Sequence, residues 1–290
     1  MKFFLNLILV LACLYGVLWL FPEPEPMEDI SFYSDAGFSV IAHRGGRGLV
    51  PGNTIEAAIN AVNIGSDIIE IDVHLTADDI LVVRHDASID TTTNGSGQIS
   101  AMSLSEIQDY HAGFHEIDYP NAKYQQLIEV PTLAALFSKL PDQRYLIELK
   151  PQDVSAADSL CGLIRHHKIH NQVMVGSFHT PMLKHFRRVC PEIPTSLGES
   201  EITQLVLLER LNLSHLFISE GYSIQIPMTA GGVDILRPKL VNVMHKRNIR
   251  VDAWTLNDVN SMKYAIDIGV DGVITDWPDV LIELLQNSDK

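Results

Sequence analysis

The feature that most constrains the fold is a regular alternation of short apolar runs with helical patterns from residue 39 onward. Short runs rich in Val and Ile are typical of buried strands, and the intervening segments show the spacing of amphipathic helices. Strands that alternate with helices form a parallel sheet, and eight strands close a (β/α)8 barrel. The predicted strands are residues 39–42, 67–73, 144–149, 172–177, 193–197, 214–219, 250–254 and 271–275.

The spacing of these strands is uneven at one place. Between residues 67–73 and 144–149 the chain is far longer than a single crossover helix requires, and the surplus, residues 78–130, predicts an insertion. We therefore expect an α/β fold, a (β/α)8 TIM barrel over residues 38–290 with a small insertion after its second strand.

The chain begins with an apolar segment that is not expected to belong to the barrel. Residues 3–21 are apolar except for Asn6, and residues 22–37 form a proline-rich, acidic linker. Such a helix spans about 28 Å, so residues 1–21 predict an N-terminal transmembrane helix as a single-pass anchor. A cleavable signal peptide, which would leave a secreted barrel, is the main alternative. Lys2 before the segment and the acidic flank after it predict a barrel on the non-cytoplasmic side.

Charge and cysteine content exclude several classes of protein. The chain has 21 basic and 36 acidic residues, a net charge of −15, which argues against a nucleic-acid partner. Three cysteines are too few for a disulfide scaffold or a Cys-rich zinc module. We expect Cys161 and Cys190 to be unpaired buried thiols, with a disulfide between them as the alternative outside the cytoplasm.

Acidic residues lie near the carboxyl ends of two predicted strands, the edge at which such a barrel has its active site. Glu70 and Asp72 are two apart on the second strand and so share one face, and Glu148 ends the third. Carboxylates placed together repel one another unless protons or a metal ion neutralise them. All-oxygen ligation favours Mg²⁺, Ca²⁺ or Mn²⁺ over zinc, so we predict a site for one divalent cation.

Other reactive side chains follow the strand ends. Arg44 and Lys150 with the cation would bind a phosphate oxyanion, and His43 and His85 offer an acid and a base with suitable pKa values. Taken singly, each has an ordinary explanation: a turn cap, a salt bridge, or core packing for Trp254 at the seventh strand end. Together at one edge they predict metal-assisted cleavage of a phosphate ester.

An ordered set of motifs carries a family resemblance over about residues 39–284. The segments are residues 41–45, 51–54, 69–73, 82–86, 92–95, 147–150, 254–257 and 272–276. This set resembles the glycerophosphodiester phosphodiesterase family. The resemblance implies a (β/α)8 barrel with an insertion after the second strand. It also implies hydrolysis of a glycerophosphodiester to glycerol 3-phosphate and an alcohol.

The resemblance also implies roles for individual residues. The positions of Glu70, Asp72 and Glu148 hold a divalent cation in that family. The positions of His43 and His85 supply the acid–base pair; Arg44 and Lys150 match phosphate-binding positions, and Trp254 matches a residue of the substrate pocket. One position departs from the pattern: the family usually has Pro-Glu-Asn-Thr, whereas this chain has Gly52 in place of the glutamate. An altered activity or metal preference would follow if that glutamate orients a residue of the site.

Three functions remain open from the sequence. The first is hydrolysis of a small, water-soluble glycerophosphodiester, and the second is a lysophospholipase D-type reaction on a lysolipid, for which a membrane helix would be an advantage. The third is a non-catalytic, membrane-anchored barrel, which Gly52 favours and the intact His43 and His85 oppose.

Overall fold

The computed structural model describes residues 2–33, 37–115 and 127–288. Its strands are β1 Ser39–Ala42, β2 Ile68–Leu75, β3 Leu81–Val83, β4 Arg144–Leu149, β5 Val173–Gly176, β6 Ser223–Ile226, β7 Thr229–Ala230, β8 Val233–Asp234, β9 Arg250–Ala253 and β10 Gly272–Thr275. Its α-helices are α1 Lys2–Leu18, α2 Ile55–Ile64, α3 Leu104–Gln108, α4 Leu133–Lys139, α5 Ser155–His167, α6 Thr180–Val189, α7 Glu199–Arg210, α8 Pro238–His245, α9 Val259–Asp267 and α10 Pro278–Ser288.

Parallel strands form the wall of a barrel. They pair in the order β5-β4-β2-β1-β10-β9-β6. Thr195 bridges Val175 at one edge of this sheet, and Ser196 bridges Ser223 at the other. Residues 195–196, within the predicted strand 193–197, therefore join the two edges, and the fold is an α/β barrel of the TIM type.

One predicted strand is wrong. Residues 214–219 do not pair with the sheet: Ser214–Leu216 is a 3-10 turn, and the strand beside β9 is β6, a few residues later. The Arg247 guanidinium donates to the carbonyl oxygens of Ser214 and Phe217, which therefore accept from a side chain and not from a neighbouring strand. The apolar pattern of residues 214–219 therefore predicted a strand where the chain forms a turn.

Apolar side chains pack on the outside of the barrel, and a further group, the plug, fills one end of its interior. The outward side chains of the strands pack against the helices in two large clusters, one centred on β2, β4 and β5 and the other on β6, β9 and β10. Inside, Phe32 and Tyr33 pack against the barrel residues Ile41 and Met174. The carbonyl of Phe32 accepts from Arg144, the first residue of β4, so this plug lies at the amino end of the strands.

A small substructure lies between β2 and β4. The short strand β3 runs antiparallel to β2, and buried side chains from β3 to residue 130 form a cluster of their own, including Val82, Ile89 and Ile99. The predicted insertion covers residues 78–130, of which 116–126 lie outside the described residues.

The N-terminal helix α1 has 17 residues and ends at Leu18. Its end contacts the barrel: Tyr15 donates to the carbonyl of Leu211 at 2.8 Å, and the Trp19 ring lies 5.2 Å from that of His215. The chain turns directly after the helix and then reaches Pro22. Within the residues that the structure describes, none of the helices combines the length and apolar character needed to cross a bilayer. The predicted transmembrane anchor is therefore not supported.

The expectation for the cysteines is also wrong. Cys161 in α5 and Cys190 at the end of α6 are both buried, and they form a disulfide. Adjacent helices on the outside of a barrel bring the two thiols together, with a Cα–Cα distance of 5.7 Å.

Candidate active site

The carboxylates predicted from the sequence meet at the carboxyl end of the barrel strands, which is the mouth of the barrel. Because β2 and β4 are parallel and in register, Asp72 lies beside Glu148, and Glu70 points to the same side two residues earlier. One oxygen from each of the three lies within 4.8 Å of the others. Asp72 and Glu70 are almost fully buried, and Glu148 is partly exposed.

Positive and polar groups surround these acids. Lys150 Nζ lies 3.0 Å from both Asp72 Oδ1 and Glu148 Oε2. The backbone N–H of Arg44 donates to Glu70 Oε2 at 2.8 Å, and the guanidinium Nε lies 3.5 Å from an oxygen of Asp72. Arg44 and Lys150 are thus placed together with the acids, as predicted for a site that binds an anion.

Burial and mutual repulsion raise the pKa values of two of the three acids. Burial, and next the charge of Asp72, raise the pKa of Glu70 well above its usual range and that of Glu148 to about 7. Burial alone would raise the pKa of Asp72 too, but Lys150 and Arg44 lower it overall. Ionisation of Glu70 and Glu148 is therefore unfavourable, and a bound cation would stabilise their ionised forms.

Each histidine at the site is held by an aspartate. His43 Nδ1 lies 2.5 Å from Asp276 Oδ1, and His85 Nδ1 lies 2.6 Å from Asp86 Oδ1. His43 Nε2 is 4.0 Å from Glu70 Oε2, so its second nitrogen is directed to the acids. An Nδ1–H donated to a carboxylate leaves Nε2 for proton exchange with a substrate.

A tight turn brings His43 to this position. After β1, Arg44 adopts a left-handed backbone with φ of 52°, and Gly45 follows with φ of 79°. A side chain at Gly45 would contact Ala57 in α2 at 2.9 Å, so this glycine allows the turn to pack closely on the helix.

Aromatic rings border the site on another side. The rings of Phe178 and Trp254 meet edge to face at 5.7 Å, and Lys150 Nζ lies 6.0 Å from the centre of the Phe178 ring. The side chain of Phe178 is half exposed, and Trp254 is partly exposed. These two rings provide an apolar wall next to the charged centre.

Several residues of the site were not assigned a role from the sequence. Asn53 donates to Asp72 Oδ2 at 2.9 Å and accepts from its backbone N–H, and Asn257 donates to Asp276 Oδ2 at 2.7 Å. Asp86 and Asp276 orient the two histidines. The position of Asp276 directly after the last strand, and that of Asp86 next to His85, were the available signals.

Comparison with known proteins agrees with the barrel fold. The model of the Glycerophosphoryl diester phosphodiesterase family matches residues 43–280. A glycerophosphodiester phosphodiesterase of Caldanaerobacter subterraneus is 32% identical over 85% of this chain and 97% of its own length. A lysophospholipase D of Rattus norvegicus is 27% identical over 85% of this chain and 86% of its own. An Oleispira antarctica phosphodiesterase, solved with the product sn-glycerol-3-phosphate, has a TM-score of 0.72 at 24% identity, covering 88% and 99% of the two chains.

The family model and the curated relatives define the class of protein, a phosphoric diester hydrolase. The chain belongs to the glycerophosphodiester phosphodiesterase family, as the family model over most of its length shows. The predicted family and enzyme class are thereby confirmed, and the non-catalytic alternative is not favoured.

Proposed function

We propose that this enzyme hydrolyses a glycerophosphodiester to glycerol 3-phosphate and an alcohol in a reaction that depends on one divalent cation. The observation that carries this proposal is the grouping of Glu70, Asp72 and Glu148 beside two aspartate-held histidines. The product bound to the Oleispira antarctica phosphodiesterase supports the choice of glycerol 3-phosphate.

The donor set fits a hard cation. Three carboxylates on adjacent strands each offer an oxygen within 4.8 Å, and two of them have raised pKa values. These residues would hold Mg²⁺, Ca²⁺ or Mn²⁺. When bound, such an ion neutralises the acids and polarises the phosphate oxygens.

The side chains of the chain itself supply binding and proton transfer. Arg44 and Lys150 would hold the phosphate oxygens, and Trp254 would contact an alcohol half of the substrate. Of His43 and His85, one would accept a proton from the attacking water as its oxygen bonds to phosphorus, and the other would donate a proton to the leaving alcohol oxygen as its bond to phosphorus breaks. Asp276 and Asp86 keep each ring in the orientation that this exchange requires.

The test is release of choline from glycerophosphocholine by the full chain, first with EDTA and then with each cation restored. We expect turnover only with a cation, and we expect Glu70→Gln to remove it at every cation concentration. The variant Glu283→Gln, at an exposed position of α10, is the control. Metal-independent turnover would contradict the proposed cation requirement.

A second candidate is a lysophospholipase D-type reaction. The rat relative and the exposed Phe178 beside Trp254 favour it, because an acyl chain would lie along apolar rings. Turnover of lysophosphatidylcholine compared with glycerophosphocholine separates the two. A higher kcat/KM for the lysolipid would make it the substrate.

We further propose that the barrel lies outside the cytoplasm. The disulfide between Cys161 and Cys190 supports this, because buried disulfides persist in oxidising compartments. Alkylation of cells with and without prior reduction tests the proposal. Reaction of Cys161 and Cys190 after denaturation alone, as distinct from the free Cys13, would place the barrel in the cytoplasm.

A further inference from the structure

Asn53 joins the segment before helix α2 to strand β2. It lies directly before Thr54, the residue that caps the amino end of α2. Its side chain is 3% exposed, and its backbone has a left-handed conformation with φ of 58°. Asparagine tolerates this conformation better than most residues that carry a side chain, so the fold places a buried carboxamide here with little strain.

The carboxamide of Asn53 makes two hydrogen bonds to one residue of the acidic centre. Asn53 Nδ2 donates to Asp72 Oδ2 at 2.9 Å, and Asn53 Oδ1 accepts from the backbone N–H of Asp72 at 3.2 Å. The other carboxylate oxygen, Asp72 Oδ1, lies 3.0 Å from Lys150 Nζ, which is also 3.0 Å from Glu148 Oε2. The carboxylate of Asp72 is therefore oriented with Oδ2 toward Asn53 and Oδ1 toward Glu148.

The backbone of Asn53 connects this carboxylate to Glu70. The N–H of Asn53 donates to the carbonyl of Arg44 at 2.9 Å, and the N–H of Arg44 donates to Glu70 Oε2 at 2.8 Å. A series of hydrogen bonds thus runs from Glu70 through Arg44 and Asn53 to Asp72. It holds two of the three acids to one segment of backbone, the tight turn after β1.

We propose that Asn53 is a positioning residue for the cation site: its carboxamide occupies Asp72 Oδ2 and leaves Oδ1 as the oxygen that Asp72 offers to the ion. This inference rests on the proposed cation-dependent phosphodiesterase function. Groups that orient a metal ligand commonly contribute about 10- to 100-fold to metal affinity. Asn53 should therefore contribute to cation affinity without being one of the three proposed ligands.

Binding of Mn²⁺ to the full chain, measured by electron paramagnetic resonance, gives a readout that needs no turnover. Asn53→Gly removes the carboxamide and suits the left-handed backbone. We expect its Kd for Mn²⁺ to rise by about 10- to 100-fold. The matched control is Asn212→Gly, at an exposed asparagine with φ of 54°, which should leave the Kd unchanged. An unchanged Kd in Asn53→Gly would overturn the proposal.

A second variant separates the orientation of Asp72 from general stability. Asn53→Ala removes the same carboxamide but places a Cβ on a left-handed backbone, so it should be less stable than Asn53→Gly in urea unfolding. Both variants should lose the same Mn²⁺ affinity, because both lack the same two hydrogen bonds. An affinity that falls in step with stability would mean that Asn53 only supports the fold of this segment, and it would overturn the proposal.

Hydrogen exchange in the unmodified chain gives a measurement that does not depend on the folding of a variant. The side-chain amide protons of Asn53, observed by NMR in a chain labelled with ¹⁵N-asparagine, should exchange slowly with solvent. They should stay protected when Mg²⁺ is added, because the bond to Asp72 Oδ2 is retained. Faster exchange with Mg²⁺ would show that this bond breaks, and it would overturn the proposal.

Turnover of glycerophosphocholine distinguishes a positioning residue from a ligand. A high cation concentration should restore the turnover of Asn53→Gly, whereas Glu70→Gln should stay inactive at every concentration. A loss in Asn53→Gly that no cation concentration restores would overturn the proposal. If the unmodified chain binds Mn²⁺ but hydrolyses no diester, the phosphodiesterase function fails, and the ratio of the Kd values still decides the role of Asn53. A chain that binds no Mn²⁺ would overturn both the cation site and this role.

Discussion

Buried carboxylates lie at both ends of this barrel, but the charges around them differ. At the mouth, Glu70 shares its surroundings with Asp72 and Glu148, and after burial the largest influence on its pKa is the like charge of Asp72. At the base, Asp252 is buried under the plug, and after burial the largest influence is the opposite charge of Arg250. Burial raises both pKa values; at the mouth the next largest influence is a like charge, whereas at the base Arg250 has a larger influence than the like charge of Asp271.

The difference separates a site for a ligand from a site that the chain itself covers. The base is sealed by Phe32 and Tyr33, and Arg250 lies 4.3 Å from the Tyr33 ring. The mouth is lined by arginine, lysine and histidine with no such cover among the described residues. Repulsion at the open edge would be relieved by the proposed cation, whereas the base must be stable without a ligand.

The largest expected effect is at the mouth. Glu70→Gln should lower kcat/KM for glycerophosphocholine by about 10⁴-fold, because it removes one ligand of the proposed cation. Its free energy of unfolding in EDTA should be equal to or above that of the unmodified chain, since a repulsive charge is gone. Urea unfolding and steady-state kinetics measure both. If Glu70→Gln were less stable than the unmodified chain and still active, Glu70 would be a stabilising residue and not a ligand of the proposed cation.

The next effect is at the base and concerns pH. Burial raises the pKa of Asp252 from 3.8 to about 7, so the folded chain binds this proton more tightly than the unfolded chain does. Stability from this group is therefore complete below about pH 4 and is lost as the pH rises to about 7. Between pH 4.5 and 8 the loss is about 3 kcal/mol.

Asp252→Asn should remove that part of the pH dependence, as urea unfolding at the two pH values measures. Asp267→Asn, at an exposed position of α9, is the control. If the unmodified chain and Asp252→Asn change in parallel, Asp252 is not the titrating group.

A smaller effect concerns the orientation of His43. Asp276→Asn should lower kcat by about 10²-fold with little change in KM, because the ring loses the carboxylate that holds its Nδ1. Asp279→Asn, at an exposed position in the first turn of α10, should leave kcat unchanged. An increase in KM alone would assign Asp276 to substrate binding instead of orientation.

The smallest effect is at the apolar border of the mouth. Trp254→Ala should raise KM by about tenfold through lost contact with the substrate, and Trp254→Phe should restore much of it by keeping an edge for Phe178. Kinetics with glycerophosphocholine measure the change. An unchanged KM would make Trp254 part of the barrel packing and not of the pocket.

Much of the site was predictable because the relevant residues are close to strand ends. Glu70 and Asp72 share a face through the two-residue period of a strand, and Glu148 lies beside them through the parallel pairing of β2 and β4. The position of the strand beside β9 could not be predicted in this way. Residues 214–219 and 223–226 have equally short apolar patterns. Residues 223–226 form the strand because they pair with β9, whereas carbonyls of residues 214–219 accept from Arg247.

The sequence by itself determined the alternation of strands and helices, and with it which reactive residues reach the mouth, because those properties follow from local periodicity. Tertiary structure alone decided which groups meet across long separations. Asp276 holds His43 from 233 residues away, and Cys161 meets Cys190 between two helices. Closure of the barrel creates these contacts, since residues far apart in the chain become neighbours only when its two edges join.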